Sequence, residues 1–243
     1  MKEFTHWYSE RIGQDIQLVR WGEMGTPVLM FPTAGGDAEE AERFQMLRAL
    51  APLLESGRVK IYSSDSVAGQ KILSGETPAH DAGRMLNAFD ACVYHEIVPA
   101  IRTDCRSADI EIVTAGASIG AFNALASLAR HPDVFSKAIC LSGTYDLDRL
   151  LKIDASADYF YSSPLSFLPQ LSPDGGHLQA LRGRFALLAH GQGRAEDPAQ
   201  SWRMAQVLGS KGIPNRVDEW GPEWHHDWVT WRAMMPQYLD ELA

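Results

Sequence analysis

A serine lies at the centre of the pentapeptide GASIG, in which Gly116 and Gly120 stand two residues before and two residues after Ser118. A short apolar segment precedes the motif and an Ala-rich helical pattern follows it, so the serine falls at a sharp turn from a strand into a helix. Such a turn exposes the hydroxyl at a strained backbone position, and the small flanking residues prevent collisions with neighbouring chains. The pattern predicts that Ser118 is a nucleophile, with the backbone N–H of Ile119 as one oxyanion donor.

A second oxyanion donor is expected in the loop that follows the third predicted strand. There the sequence VLMFPTAGGDAEEAE passes from an apolar segment through a run of small residues into an acidic helix start. Small residues let backbone amides approach a substrate, and we assign the donor to the N–H of Ala34. The alternative interpretation is an ordinary turn that needs glycine for its geometry.

A serine hydroxyl must lose its proton during attack, so a neutral imidazole has to lie within hydrogen-bonding reach. The chain offers a pair of histidines in the sequence WHHDWVTW near its carboxyl end. We choose His226 as the base, because it adjoins the start of the final predicted helix, which Asp227 is placed to cap. His225 is expected to line the pocket or to face solvent.

The acid that orients the histidine is expected after the strand before the last, where the chain reads HGQGRAEDP. Two neighbouring carboxylates compete there, Glu196 and Asp197. Asp197 precedes a proline suited to the first position of a helix, which also makes it a capping candidate, whereas Glu196 has the longer reach. We favour Asp197, keep Glu196 as the alternative acid, and place Asp146, one strand earlier, third. The order serine, acid, histidine is typical of α/β-hydrolases.

Two of the seven tryptophans, Trp224 and Trp228, flank the predicted catalytic histidine. They are the best candidates for substrate-binding residues, although aromatic side chains at such positions more often belong to the core. The three cysteines form no CxxC pair, and we interpret them as structural. The predicted chemistry requires no metal ion and no cofactor, and we expect neither.

The elements that must position these residues follow from the hydrophobic pattern. Segments at 4–10 and 15–21 have the character of antiparallel strands joined near Gly13. Apolar segments suited to buried strands then alternate with predicted helices at 39–55, 83–101, 119–129, 201–208 and 228–242. The rhythm predicts the α/β-hydrolase fold, a mostly parallel sheet of about eight strands with helices on both faces. We expect one such domain over residues 1–243, with pocket walls or lids in the turn-rich segments 66–80 and 154–177.

Composition limits the partners of the protein. The 243-residue chain has a formal net charge of -9 and scattered basic residues, so we expect it to bind neither nucleic acid nor a membrane surface. No apolar segment approaches the roughly 20 residues that cross a bilayer, and the amino terminus lacks a signal-peptide pattern, which predicts a cytoplasmic protein. No heptad or exposed apolar stripe indicates an oligomeric state, which stays open.

The segment GASIGAFNALASLARHPDVFSKAICLSGTYD resembles the surroundings of the nucleophile in a family of α/β-hydrolase esterases. That family includes esterase D (S-formylglutathione hydrolase), feruloyl esterases and the antigen 85 mycolyltransferases. The sequence SSPLSFLPQL is similar to the loop after the family's nucleophile, and HDWVTW is similar to the pattern that carries its catalytic histidine, here His226. The resemblance also implies an acid near Asp197, whereas the loop FPTAGG departs from the HG or DG dipeptide that is common in the family.

These observations favour a serine carboxylesterase that acts through an acyl-enzyme on a small-molecule or carbohydrate-linked acyl ester. Two alternatives stay open. One is an acyltransferase on the same scaffold, with an alcohol or sugar hydroxyl as acceptor. The other is a binding protein that keeps the hydrolase fold without its activity.

Overall fold

The structure, a computed structural model, describes residues 1–148, 152–154 and 156–243. Its centre is an eight-stranded sheet, in which the inner strands follow the apolar segments of the sequence. The strands are β1 (Lys2–Ser9), β2 (Gln14–Trp21), β3 (Thr26–Phe31), β4 (Val59–Ser64), β5 (Ile112–Ala117), β6 (Phe135–Leu141), β7 (Phe185–His190) and β8 (Asn215–Glu219). They lie in the order β1-β2-β4-β3-β5-β6-β7-β8, which confirms the predicted sheet.

The first two strands form the predicted antiparallel pair at one edge of the sheet. Ser9 pairs with Gln14 at the turn, where Gly13 has a φ of 68° and donates its N–H to the Ser9 carbonyl over 2.8 Å. A positive φ is easily adopted by glycine, so this residue suits the turn. Strand β2 also runs antiparallel to β4, whereas β3 to β8 pair in parallel.

The parallel strands β3 to β7 are largely buried on both faces, as their apolar sequences predict, whereas the edge strand β8 is only partly buried. In β3, Val28 and Met30 belong to the core on one face of the sheet, and Leu29 and Phe31 belong to the core on the other. This alternation follows from the two-residue period of a strand. The sheet therefore separates two hydrophobic cores, each of which needs a covering layer of helices.

Helices cover both faces of the sheet. They are α1 (Glu40–Arg43), α2 (Met46–Ala49), α3 (Ala51–Glu55), α4 (Val67–Leu73), α5 (Ala82–Cys92), α6 (Val98–Asp104), α7 (Ile119–Arg130), α8 (Ala157–Ser162), α9 (Pro164–Phe167), α10 (Gly176–Leu181), α11 (Pro198–Ser210) and α12 (Trp228–Leu242). A π-helical turn, Val93–Ile97, joins α5 to α6. Helices α1 to α3 and α12 contribute to one core, and α5 to α7 and α11 contribute to the other.

The single helix predicted for residues 39–55 is wrong, because the chain forms three short helices there instead. Gln45 adopts a left-handed backbone conformation with a φ of 62°, which a right-handed helix cannot continue through. The turn-rich segment 66–80 contains α4, and the segment 154–177 contains α8, α9 and the start of α10, with residue 155 outside the described residues. No helix among the described residues is long and apolar enough to cross a bilayer.

Strands β3 and β5 lie at the point where the order of the sheet changes direction. From β3 the chain crosses to β4 on one side, whereas β5 lies on the other side of β3. The loops that leave two such strands at their carboxyl ends diverge and open a crevice, which is where ligands bind in open α/β sheets. The loop after β3 carries Ala34, and the turn after β5 carries Ser118.

The turn at Ser118 packs directly against the end of β3. A Cβ atom on Gly120 would lie 2.6 Å from the carbonyl oxygens of both Phe31 and Pro32, and a Cβ on Gly116 would lie 2.3 Å from Gly120 backbone atoms. These distances leave no space for a side chain on either glycine. The two glycines thus let the start of α7 approach the loop after β3.

We expect the substitution G120A to lower the free energy of unfolding by at least about 2 kcal/mol, because the added methyl collides with two backbone oxygens. The matched control is G209A in α11, where an added Cβ meets nothing within 4 Å. G209A should instead stabilise the protein by about 0.5 to 1 kcal/mol, because Ala has the better helix propensity. Chemical denaturation of both variants checks this, and equal stability of the two would contradict the packing described here.

Candidate active site

The backbone of Ser118 is held in a strained conformation, with a φ of 57° and a ψ of -121°. Its N–H donates to the Leu141 carbonyl over 3.0 Å, and its own carbonyl accepts from the amides of Ala121 and Thr144, each over 3.2 Å. These hydrogen bonds tie the turn to the end of β6 and to the first turn of α7. The predicted strand, turn and helix around Ser118 are therefore present, with the serine at the helix start.

His226 lies beside the serine, and its Nε2 is 3.0 Å from the Ser118 Oγ. The backbone N–H of His226 donates to the Arg194 carbonyl over 3.1 Å. The next residue, Asp227, caps α12 by accepting from the amides of Val229 and Thr230 over 2.9 and 3.1 Å, which confirms the capping inferred from the sequence. The structure thus brings together the nucleophile and the base that the sequence predicted.

Glu196, and not Asp197, faces the second nitrogen of the imidazole. The Glu196 Oε2 lies 3.7 Å from the His226 Nδ1, and the glutamate side chain is only 1% exposed. Asp197 occupies the N-cap position of α11 and its Oδ2 lies 3.4 Å from the Gln200 Nε2. Asp146 forms an ion pair with Arg203, with an N–O distance of 2.6 Å. The preference for Asp197 over Glu196 is therefore reversed by this geometry.

A tight turn explains why the glutamate points inward. Ala195 has a φ of 64°, and the Glu196 N–H donates to the Gly193 carbonyl over 3.2 Å. Two hydrogen bonds join this turn to the loop that carries His226. The Gly193 N–H donates to the Trp224 carbonyl over 2.8 Å, and the Arg194 N–H donates to the His225 Nδ1 over 2.9 Å. His225 thus helps to join the two loops that carry Glu196 and His226.

Ser142 and Trp231, neither of which was predicted from the sequence, extend the contacts around Glu196 and His226. The Ser142 hydroxyl donates to the Glu196 Oε1 over 2.6 Å, and the Trp231 Nε1 donates to the Ser142 Oγ over 3.0 Å. The Trp231 ring also packs edge-on against the His226 ring, with 5.2 Å between their centroids. One sequence signal was available: Ser142 directly follows β6, at the same end of the sheet as Ser118.

The loop after β3 is braced from one side by Glu40. The Thr33 N–H and hydroxyl donate to the two carboxylate oxygens of Glu40 over 2.7 and 2.6 Å. The Ala34 carbonyl accepts from the Ser66 hydroxyl over 3.3 Å. Among the residues that the structure describes, the N–H of Ala34 has no hydrogen-bond acceptor. The N–H of Ile119 has no acceptor within α7, because it belongs to the first turn of the helix.

A cavity of about 360 Å³ adjoins the serine and the histidine. Its walls combine polar and apolar surface and come from the segments that follow β5, β6, β7 and β8: Ser118, Ser142, Gly143, Thr144, Asp146, Ala195, Asp197, Gln200 and His226. Trp224 and Trp228 are not part of these walls. Trp224 packs edge-on against Trp220, and Trp228 stacks on Phe44, with centroid distances of 4.8 Å in both pairs. In the described part of the chain, no three His, Cys, Asp or Glu side chains are arranged to hold a metal ion.

A family model described as "Putative esterase" matches residues 57–242. The chain belongs to this esterase family. Membership confirms the enzyme class expected from the sequence, a serine hydrolase of carboxylic esters. No curated protein matches the sequence significantly.

Several solved structures share the fold of this esterase at low sequence identity. A ferulic acid esterase superposes with a TM-score of 0.73 at 15% identity, over 98% of this chain and 96% of that one. An S-formylglutathione hydrolase from Agrobacterium tumefaciens gives 0.73 at 12%, over 99% and 94%. MPT51 of Mycobacterium tuberculosis gives 0.71 at 14%, over 100% and 97%. These likenesses confirm the predicted α/β-hydrolase architecture.

The electrostatics of the candidate site centre on the buried carboxylate of Glu196. Burial on its own raises the pKa of Glu196, because it disfavours the charged form. Interactions with His226 and Ser142, together with the Gly191 amide, favour that charged form and outweigh burial. The pKa of Glu196 therefore lies below its ordinary value, and the group is a carboxylate at neutral pH.

This lowered pKa links the stability of the esterase to pH. The unfolded chain binds a proton at Glu196 more readily than the folded chain does, so ionised Glu196 adds to the stability of the folded state. This stabilisation is complete above the ordinary glutamate pKa of about 4.3, and it is lost as pH falls through the lower pKa of Glu196 in the folded protein. We expect the variant E196Q to lose less stability than the wild type between neutral pH and about pH 4. Urea denaturation of both proteins at the two pH values checks this, and parallel losses would contradict the assigned direction.

Proposed function

We propose that the protein is a serine carboxylesterase that uses Ser118 as nucleophile, His226 as base and Glu196 as the acid that supports the base. The observation that carries this proposal is the 3.0 Å distance between the His226 Nε2 and the Ser118 Oγ, with the Glu196 carboxylate on the opposite ring nitrogen. This chain of three groups matches the arrangement that activates a serine hydroxyl in hydrolases of several folds.

In the first step the Ser118 Oγ attacks the ester carbonyl carbon, and its proton passes to the His226 Nε2. The carbonyl oxygen becomes an oxyanion, which the N–H groups of Ile119 and Ala34 stabilise. The Thr33 N–H is already engaged by Glu40, which favours the next amide, that of Ala34, as the donor on this loop. Collapse of the tetrahedral intermediate breaks the ester C–O bond, and His226 gives its proton to the departing alcohol.

In the second step water attacks the acyl-enzyme. His226 takes a proton from the water, a second oxyanion forms in the same place, and collapse releases the carboxylic acid while the proton returns to the Ser118 Oγ. The acid is formed from the acyl group, and the serine is regenerated without any redox change. Hydrolysis needs water beside the acyl group, and the polar side chains among the cavity walls suit its entry.

The role of Glu196 follows from the charge that develops on the imidazole. When His226 holds two protons it is a cation, and the buried carboxylate next to its Nδ1 stabilises that cation and fixes the ring tautomer. The separation of 3.7 Å is longer than a hydrogen bond, and catalytic hydrogen bonds often tighten only when substrate is bound. We therefore assign the acid to Glu196, and we assign Asp197 to the wall of the cavity.

The first test labels the nucleophile. A fluorophosphonate probe should form a covalent adduct at Ser118 that mass spectrometry locates, and the variant S118A should lose both the adduct and the hydrolysis of short p-nitrophenyl esters. The matched control is S127A: Ser127 is buried within α7, the helix that begins after Ser118, and its replacement leaves the reactive serine in place. An adduct at another residue, or unchanged hydrolysis by S118A, would overturn the proposal.

The second test separates the two neighbouring acids. We expect E196Q to lower kcat by about 10³- to 10⁴-fold, because the imidazolium loses the charge that stabilises it. The matched variant D197N should lower kcat less than tenfold, because its carboxylate does not face the imidazole. Steady-state kinetics on p-nitrophenyl acetate measures both values. A larger loss in D197N than in E196Q would return the acid to Asp197.

A further inference from the structure

We propose that Ser142 and Trp231 are positioning residues that hold Glu196 in the orientation from which it supports His226. The inference rests on the proposed function, because it concerns the acid of that same site. Ser142 and Trp231 lie 89 residues apart in the chain, yet they share one hydrogen bond next to the carboxylate. Neither residue is required for the three-group mechanism itself, so their effect on catalysis is separate from that of Glu196.

The donors and acceptors in this group allow only one direction of hydrogen bonding. The indole N–H of Trp231 can only donate, so the Ser142 Oγ has to accept from it. An ionised carboxylate can only accept, so the single proton of the Ser142 hydroxyl points at the Glu196 Oε1. The hydroxyl is thus fixed by partners on both sides, and hydrogen bonds arranged in this way strengthen one another.

This fixed hydrogen bond decides which oxygen of the acid is left for the base. With the Oε1 bound to Ser142, the Oε2 is the carboxylate oxygen that faces the His226 Nδ1. The glutamate side chain is buried, and a buried carboxylate without donors is costly. Ser142 therefore satisfies one half of the carboxylate and directs the other half toward the imidazole.

The backbone positions of both residues fit this role. Ser142 has a φ of 46°, an unusual conformation for a residue with a side chain, and its N–H donates to the Ala189 carbonyl over 2.7 Å. Trp231 comes from α12, and its ring also lies edge-on against the His226 ring. The helix that begins just after the base thereby contacts the base and, through Ser142, the acid.

The decisive experiment compares S142A and S142G. Both variants lose the hydroxyl, but only glycine suits the positive φ at this position, so S142G should have the higher Tm. If the hydroxyl positions the acid, both variants lower kcat on p-nitrophenyl acetate by about 10- to 100-fold, with KM within about twofold of wild type. The control R106G relieves a positive φ of 52° on an exposed residue outside the site and should leave kcat unchanged.

Double variants separate positioning from a general structural effect. Because Ser142 acts through Glu196, adding S142G to E196Q should change kcat by less than about twofold, although S142G alone causes a large loss. W231F keeps an aromatic ring against His226 but removes the N–H, and its loss of kcat should be smaller than that of S142G. In the S142G background, W231F should cause little further loss.

Three outcomes would overturn the inference. The first is a normal kcat in S142G. The second is a kcat that is higher in S142G than in S142A in proportion to the higher Tm of S142G. The third is a loss in the S142G E196Q double variant that equals the product of the two single losses. A rise in KM with normal kcat would instead make Ser142 a substrate-binding residue, since it lines the cavity. A normal kcat in E196Q would contradict the proposed acid itself, which keeps failure of the function distinct from failure of the positioning role.

Discussion

The strained backbone of Ser118 is the constraint on which the rest of the site depends. A residue with a side chain rarely adopts a φ of 57° and a ψ of -121°, so the surrounding structure has to impose this conformation. It does so through hydrogen bonds to β6 on one side and through the contact of Gly120 with the end of β3 on the other. Because β3 and β5 are neighbours in the sheet, the same contact sets the distance between Ser118 and the loop after β3, in which we propose the second oxyanion donor.

Structural features that depend on local sequence could be predicted from the sequence. The turn at Ser118 is encoded by its own glycines, by the strand before it and by the helix after it, and the position of His226 follows from the start of α12. The strands were predictable for the same reason, since a continuous apolar segment indicates a buried strand without reference to the rest of the chain. The division of residues 39–55 into three short helices could not be predicted, because it depends on the left-handed backbone conformation of one residue, Gln45.

The choice between the two acids could not be made from the sequence, because it depends on contacts between distant segments. Glu196 and Asp197 are adjacent, and the left-handed conformation of Ala195 decides which carboxylate points inward. The loop around His225 holds this turn in place through the hydrogen bond from the Arg194 N–H to His225, which lies 31 residues later in the chain. Ser142 and Trp231 escaped prediction for the same reason, since only the folded structure places α12 next to the end of β6.

Hydrogen bonds join the loop that carries Glu196 to the loop that carries His226, and they constrain the geometry of the proposed site. The amides of Gly193 and His226 cross between the two loops in opposite directions, so a displacement of one loop carries the other with it. These hydrogen bonds therefore help to maintain the mutual geometry of Glu196 and His226. Ser118 is tied to the end of β6 through its N–H, and Ser142, the residue after β6, ties Glu196 to the same end of the sheet. Trp231 strengthens this arrangement, because the core on one face of the sheet sets its position in α12, its ring contacts His226, and its N–H reaches Glu196 through the Ser142 hydroxyl.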